Sequence, residues 1–181
     1  MSELLIRQSR DNDITQIAAI YDHAVETGTA SFELDPPGPD EMARRRTALI
    51  DAGYPYLVAE LDEKIAGYAY AGPYRTRPAY RHSVENSVYI ADWARRRGVG
   101  QALLKALVAA CERAGYRQMI AIIGDSRHQA SISLHRVLGF TLVGTIKDVG
   151  YKHGQWLDSV IMQMPLGPGS SAPPKGKPAQ K

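Results

Sequence analysis

A short basic segment with two glycines, residues 95–101, has the composition of an anion-binding site. It follows an apolar run at 88–90 and opens a helical pattern, so free backbone N–H groups and the helix dipole would attract negative charge. Gly98 and Gly100 would let the backbone approach a pyrophosphate, and the arginines at 95–97 add positive charge. The segment therefore predicts a site for a phosphate-bearing ligand.

Several phosphate-binding patterns can be compared with this segment. The Walker loop requires Gly-x4-Gly-Lys-Ser/Thr, which the sequence lacks. A dinucleotide-binding fingerprint requires a third glycine where Leu103 stands. The pattern that remains is Arg95-x-x-Gly98-x-Gly100, and the plain alternative of an arginine-rich loop at the start of a surface helix stays open.

The elements around this segment predict a mixed sheet covered by helices. Strand patterns occur at 4–6, 56–61, 65–71, 83–90, 118–123, 141–145 and 157–164, and helical patterns at 11–27, 40–52, 99–114 and 130–138. The resulting order is β-α-α-β-β-β-α-β-α-β-β. A hairpin-rich first half followed by alternating strands and helices is typical of one α/β (α+β) domain, predicted over residues 1–166.

The composition fits one globular domain without a membrane anchor. The chain has 181 residues, of which 44% are hydrophobic and 23% charged. No run approaches the roughly 18 apolar residues of a membrane span. The first residues reach a charge too soon to form the apolar core of a signal peptide, which predicts a cytoplasmic location.

The positive charge is partly a property of the last residues. Residues 167–181 contain three lysines and no acid, so the formal net charge of +3 leaves the rest near neutral. This composition predicts a disordered basic tail and gives no support for nucleic-acid binding.

Thiol and metal chemistry find little support in the sequence. The one cysteine, Cys111, excludes an internal disulfide and lies in a helical pattern, so it is predicted to be buried. The five histidines have no ligand spacing that recurs on one face, so we expect no metal site.

The segment Arg95-Arg-Arg-Gly98-Val-Gly100 resembles the Arg/Gln-x-x-Gly-x-Gly/Ala signature of the GNAT N-acetyltransferases. The element order is also similar to that family's, including a helix that ends in Leu-Gly-Phe at 138–140, and the resemblance extends to Met164. It implies the GNAT acyl-CoA N-acyltransferase fold and acetyl-CoA as co-substrate. The residues it assigns to acetyl-CoA are Val88, Tyr89, Ile90, Arg95, Arg96, Arg97, Gly98, Val99, Gly100, Gln101, His128 and Ser131. His128 stands where relatives commonly carry asparagine.

Further stretches resemble the phosphinothricin N-acetyltransferases and the related amino-acid N-acyltransferases that acetylate methionine sulfoximine and methionine sulfone. They are Tyr70-Ala-Gly-Pro-Tyr74, Val84-Glu-Asn-Ser-Val-Tyr-Ile90, Ile122-Ile-Gly124, Leu134-His135 and Gly150-Tyr-Lys-His-Gly-Gln-Trp156. This narrower resemblance implies acetylation of the α-amine of a small amino-acid-like molecule, and a homodimer.

The resemblance also implies a catalytic pair. An ammonium group must lose a proton before its nitrogen can attack a thioester, and a carboxylate is the simplest base. Glu85 matches the family's glutamate, and His135 matches a histidine that the subfamily is proposed to use beside it. From position alone, Glu85 could equally be a solvated strand-end residue and His135 a packed one. Tyr89 points away from Val88 and Ile90 and is predicted to pack.

For the acceptor, a carboxylate-bearing molecule needs a cation. Arg75 follows the Gly-Pro-Tyr turn where relatives carry a basic residue, and Arg77 is a second candidate. Phe32 is predicted in the pocket wall, and Lys152 is predicted to reach a partner subunit's site. Polyamine, antibiotic or peptide amines remain alternative acceptors, and a non-catalytic acyl-CoA-binding module remains an alternative to an enzyme.

Overall fold

The computed structural model describes residues 4–176 and 178, and the predicted element order is confirmed. The described residues form seven strands and four α-helices. The strands are β1 (Leu5–Gln8), β2 (Tyr56–Leu61), β3 (Lys64–Pro73), β4 (Ser83–Ile90), β5 (Gln118–Gly124), β6 (Thr141–Lys152) and β7 (Gln155–Pro165). The helices are α1 (Ile14–Thr27), α2 (Gly38–Asp51), α3 (Val99–Arg113) and α4 (Gln129–Val137).

The strands form one mixed sheet in the order β1-β2-β3-β4-β5-β7-β6. The pair β4–β5 is parallel, and the other neighbours are antiparallel. A parallel pair needs a crossover connection, which α3 provides here. The predicted mixed sheet flanked by helices is therefore confirmed.

The two faces of the sheet are covered by different helices. Helices α1 and α2 pack on one face, where Ile17, Val25 and Met42 are buried against tyrosines of β2 and β3. Helix α3 packs on the other face through an apolar stripe, Leu103, Leu104, Leu107 and Cys111, each of them fully buried. The burial of Cys111 confirms the prediction, and it raises the pKa of the thiol to about 12.

Strand β6 is longer than its sequence pattern predicts, continuing from the predicted end at residue 145 to Lys152. Register shifts between Leu142 and Gly144 and between Ile146 and Gly150 interrupt its pairing with β7. Because each bulge changes the face on which the following side chains lie, the alternation of apolar and polar residues is lost. The strand is therefore hard to recognise from sequence.

The residues after β7 contact the end of α3 and the start of β5. Leu166 is fully buried, and the Gly167 N–H donates to Glu112 Oε1 at 2.9 Å. The Arg117 Nε–H donates to the Gly169 carbonyl at 2.8 Å. The part of the predicted disordered tail at 177 and 179–181 lies outside the described residues.

Candidate active site

The parallel strands β4 and β5 pair over only part of their length. Their register runs from Ser83 opposite Gln118 to Asn86 opposite Ala121. Beyond this point β4 pairs only with β3, as far as Ile90, and β5 pairs only with β7. We call the space between residues 87–90 and 122–124 the β4–β5 opening, with its closed end at Asn86.

The backbone of β4 presents unpaired groups to this opening. The Ala91 N–H donates to the Ala66 carbonyl at 2.9 Å, so Ala91 points its backbone groups toward β3. Because the direction alternates along an antiparallel strand, Ile90 and Val88 point theirs into the opening. Their N–H and C=O groups can bind an extended, amide-containing ligand as a neighbouring strand would.

The start of α3 lies beyond the open end of the same strand. The first intrahelical bond joins the Ala102 N–H to the Gly98 carbonyl at 3.0 Å, which leaves the N–H groups of Val99, Gly100 and Gln101 outside the helical pattern. Gly98 has a φ of 81°, a left-handed conformation that favours glycine. These N–H groups form an anion site at the helix N-terminus.

The predicted basic residues surround this helix start. Arg95, Arg96 and Arg97 are exposed, and Arg95 forms an ion pair with Asp92 at 2.7 Å. Loss of hydration and the positive charge of Arg95 lower the pKa of His128, which precedes α4. Ser131 lies in the first turn of α4.

Glu85 lies near the closed end of the opening, on the sheet face that carries α1 and α2. It pairs across the sheet with Gly72 and is half-buried. This burial raises the pKa of its carboxyl group above the ordinary value. Burial and the negative charge of Glu85 also raise the pKa of Tyr70, on the neighbouring strand.

A cavity of about 310 Å³ lies on this face between α2 and the sheet. Its walls include Tyr70, Leu49 and the side chains of Arg44 and Arg45. A Cβ at Gly72, the residue opposite Glu85, would lie 3.4 Å from the Cδ2 atom of Leu49, which is one of the residues that line the cavity. Glu85 and the cavity thus lie on the same face of the sheet, and two arginines line the cavity.

Residues 29–35, after α1, cover the neighbouring end of β5 and β6. The ring of Phe32 packs on Gly150, where a Cβ would lie 2.7 Å from its Cδ2 atom. The Lys152 Nζ donates to the Ser31 carbonyl at 2.9 Å, and Lys152 is only 3% exposed. Lys152 was predicted to reach a partner subunit, but it lies buried in its own chain.

Glu33 of the same loop connects it to both helices. The Tyr21 hydroxyl donates to Glu33 Oε1 at 2.9 Å, and Arg45 Nη1 donates to the same oxygen at 2.6 Å. Burial lowers the pKa of Lys152, and the charge of Glu33 opposes this shift. The loop is thus held by a partly buried set of charged and hydroxyl groups.

Arg75 and Arg77 lie in the connection between β3 and β4, and both are exposed. The guanidinium carbon of Arg75 lies 5.4 Å from the ring centroid of Tyr74 and 5.9 Å from that of Tyr80. This connection begins directly after Pro73, next to the Gly72–Glu85 pair. Arg75 is therefore held by aromatic rings in the loop adjoining the catalytic candidate.

His135 lies on the opposite face, with both ring nitrogens in hydrogen-bond contact. His135 Nδ1 lies 2.8 Å from the Ser131 carbonyl, and Nε2 lies 2.9 Å from Asn86 Nδ2. The carbonyl only accepts, so Nδ1 carries the proton and Nε2 accepts from the amide. Burial lowers the pKa of His135, which favours this neutral form.

Three residues of this region were not identified from the sequence. Tyr70 and Asn86 lie within stretches quoted for the resemblance, but their contacts depend on the pairing of strands. Arg45 belongs to a run of three arginines in α2, and this charge run was the one signal that pointed to it.

Neither a metal site nor a membrane span occurs in the described part of the chain. Among residues 4–176 and 178, no three His, Cys, Asp or Glu side chains are grouped so as to hold a metal ion. No helix within that range is both long and apolar enough to cross a bilayer.

Comparison with known families and proteins gives consistent matches. A model of the acetyltransferase (GNAT) domain matches residues 6–161. A phosphinothricin N-acetyltransferase of Alcaligenes faecalis is 52% identical over 170 residues, which cover 94% of this chain and 86% of the relative. An L-methionine sulfoximine/L-methionine sulfone acetyltransferase of Pseudomonas paraeruginosa is 41% identical over 173 residues, covering 93% and 98% of the two chains.

A solved structure is similar over almost the whole fold. It is a GNAT superfamily phosphinothricin acetyltransferase from Sinorhizobium meliloti in complex with AcCoA. Its TM-score is 0.92 at 45% sequence identity, with 95% of this chain and 93% of that chain covered.

Proposed function

The chain belongs to the GNAT acetyltransferase family, and from this premise we propose that it acetylates the α-amine of a small amino acid of the phosphinothricin or methionine sulfoximine type. It is an acetyl-CoA-dependent N-acetyltransferase. The observation that carries the proposal is the position of Glu85, a half-buried carboxyl group near the closed end of an opening whose other end is an anion site.

The β4–β5 opening fits acetyl-CoA in shape and in hydrogen-bonding groups. The unpaired backbone of Val88 and Ile90 would bind the amides of the pantetheine arm, and the start of α3 with Arg96 and Arg97 would bind the pyrophosphate. Acetyl-CoA supplies an activated acetyl group as a thioester. The N–H groups that face the opening would stabilise negative charge on the thioester oxygen.

Glu85 serves as the general base in this proposal. The acceptor amine must be neutral to attack, and Glu85 takes the proton from the face that carries α1 and α2. Burial raises the pKa of Glu85, which makes its carboxylate a stronger base than one in water. The cavity on the same face of the sheet offers an uncharged amine an apolar surface.

In this proposal, arginines of the β3–β4 connection bind the acceptor's carboxylate. Arg75 lies in the β3–β4 connection, three residues after the Gly72 that pairs with Glu85, and its guanidinium can bind a carboxylate through two hydrogen bonds. Arg77 follows in the same loop, Phe32 packs on Gly150, and Lys152 donates to the carbonyl of Ser31, the neighbour of Phe32. The exposed guanidinium of Arg75 favours an amino acid over a polyamine, because a polyamine carries no carboxylate for it to bind.

His135 has a supporting place in the mechanism. Its lone pair at Nε2 accepts from Asn86, so it is not free to take the proton of an acceptor amine. We assign it the positioning of Asn86 at the closed end of the opening.

Exposed apolar side chains on the outer surface of β6 and β7 support the proposal of a homodimer. Val143, Val149, Tyr151 and Trp156 are each at least half exposed. Apolar surface of this kind on an edge hairpin is typical of an interface between subunits. A second copy of the chain is the proposed occupant, and sedimentation of the wild-type protein against a Trp156→Glu variant would test it.

The function is tested by measuring CoA release from acetyl-CoA with a panel of acceptors. The panel contains phosphinothricin, methionine sulfoximine, methionine sulfone, common amino acids, spermidine and a peptide with a free N-terminus. Rapid turnover confined to the first three is expected. Turnover only with spermidine or the peptide would overturn the proposed acceptor, and binding of acetyl-CoA without turnover on any of them would favour a binding module.

A further inference from the structure

The amide oxygen of Asn86 is a buried hydrogen-bond acceptor without a partner among the described residues. Asn86 is 5% exposed, and its Oδ1 atom has no hydrogen bond there. A buried polar group left unpaired costs about 1–3 kcal/mol, so such a group points to a ligand that completes it.

The orientation of this amide is fixed by its neighbour. His135 donates its Nδ1 proton to the Ser131 carbonyl, and burial lowers the pKa of His135, which favours the neutral ring whose Nε2 atom needs a donor. Only the NH2 group of Asn86 can supply one, at 2.9 Å. The Oδ1 atom is therefore directed away from His135 as a free acceptor.

The position of Asn86 places this acceptor at the closed end of the β4–β5 opening. Asn86 is the last residue of β4 that pairs with β5, and it lies on the same face as Val88 and Ile90. Ile90 lies four positions further along the strand, or about 13 Å away. A pantetheine arm that enters from the start of α3 brings its reactive end toward this point.

The chemistry of the ligand restricts what can donate to Asn86. A thioester has only acceptor atoms, so the donor nearest to it in acetyl-CoA is the N–H of the cysteamine amide. The acceptor amine approaches from the other face, beside Glu85. We propose that Asn86 binds this cysteamine N–H through Oδ1, and that His135 is the positioning residue that holds the amide in this orientation.

This inference rests on the proposed placement of acetyl-CoA in the opening, and its test needs no amine acceptor. Binding is measured by calorimetry for acetyl-CoA and for an analogue in which the cysteamine amide is replaced by an ester. Wild-type protein is expected to bind the ester analogue at least about 10-fold more weakly than acetyl-CoA, since the ester has no N–H to donate to the buried Oδ1 atom. Equal binding of the two compounds would overturn the proposal.

The variant Asn86→Leu tests whether the Oδ1 atom is the group that binds the N–H. Its side chain has a similar branched shape without the acceptor, so this variant is expected to bind acetyl-CoA about 10-fold more weakly than wild type and to lose the preference for amide over ester. A variant that keeps the full preference would show that another group binds the N–H.

A second variant guards against misfolding of the first. Asn86→Asp keeps an acceptor oxygen on the side away from His135, while its second oxygen would accept from the Nε2 proton of a protonated His135, so this variant is expected to retain the preference for the amide compound. Loss of the preference in Asn86→Asp as well as in Asn86→Leu, with native circular dichroism, would assign the effect to His135 or to the strand rather than to Oδ1. Failure of wild type to bind acetyl-CoA would instead refute the proposed placement of the co-substrate.

Discussion

The two faces of β4 differ in what they expose. On the face toward α1 and α2, Glu85, Ser87 and Tyr89 share the side of the sheet that carries a tyrosine cluster and a cavity lined by two arginines. On the face toward α3 and α4, Val84 and Asn86 are buried, and the polar contact there is the pair of Asn86 with His135. Because side chains of a strand alternate, adjacent residues of one segment can serve two substrates.

The difference between the faces corresponds to a difference in chemistry. A proton must leave the acceptor site, so its base needs partial hydration and a mobile proton. A thioester needs protection from water and fixed hydrogen-bond donors. The open, charged face suits the amine, and the closed face suits the acyl carrier. Changes on the two faces should therefore alter different kinetic parameters.

The largest effect is expected from Glu85→Gln, which removes the base from the open face. General base catalysis contributes about 10²–10⁴-fold, so kcat/KM for the amino acid should fall by that factor near neutral pH. Calorimetric affinity for acetyl-CoA should stay the same. The matched control is Glu26→Gln on an exposed position of α1. Full activity of Glu85→Gln would remove Glu85 from the mechanism.

Arg75→Ala should weaken binding of the acceptor without changing binding of acetyl-CoA. A hydrogen bond between charged groups contributes about 1.5–3 kcal/mol, so KM for the amino acid should rise about 10-fold or more. KM for acetyl-CoA should change little. Arg81→Ala, an exposed arginine in the same connection, is the control. If the two variants behave alike, the carboxylate is bound elsewhere, and Arg45 becomes the next residue to change.

Gly150→Ala should displace the ring of Phe32 and thereby weaken binding of the acceptor. The added Cβ would overlap the ring of Phe32, which must then shift together with the loop that Lys152 holds. Overpacking of this kind costs about 1–3 kcal/mol of the free energy of unfolding, and KM for the acceptor should rise. Gly144→Ala lies in the same strand with open space around its Cβ position and should be nearly neutral. Thermal unfolding and the KM for the acceptor, measured for both variants, test this prediction.

The smallest effect concerns pH. Since burial raises the pKa of Glu85 above 4.5, its protonated form is favoured in the folded protein. The acid limb of kcat/KM should therefore fall at a higher pH than an exposed glutamate would give. The stability gained from that protonation is full below the unfolded pKa and is lost as pH rises through the folded pKa. The free energy of unfolding of wild type, relative to that of Glu85→Gln, should therefore decline as pH rises through the pKa of folded Glu85. If the free energies of unfolding of the two proteins depend on pH in the same way, burial does not raise the pKa of Glu85.

Much of this protein follows from local sequence. The element order, the burial of Cys111 and the helix start at Gly98 were predicted because periodicity, glycine conformation and helix termini depend on neighbouring residues. The GNAT family prediction from Arg95-x-x-Gly98-x-Gly100 is confirmed by the family match. The assignments of Glu85 and Arg75 remain predictions. The structure places Glu85 on the sheet face that carries the cavity, and Arg75 in the connection between β3 and β4.

Other features were decided by tertiary structure. The extension of β6 depends on bulges set by its pairing with β7, and the burial of Lys152 depends on a contact with Ser31, 121 positions earlier in the chain. The pairing of Asn86 with His135 joins a strand to a helix 49 positions away. No local pattern encodes such contacts, because they exist only once the sheet has set the distance between segments. The sequence by itself determined which groups could do chemistry, and the sheet decided which of them meet.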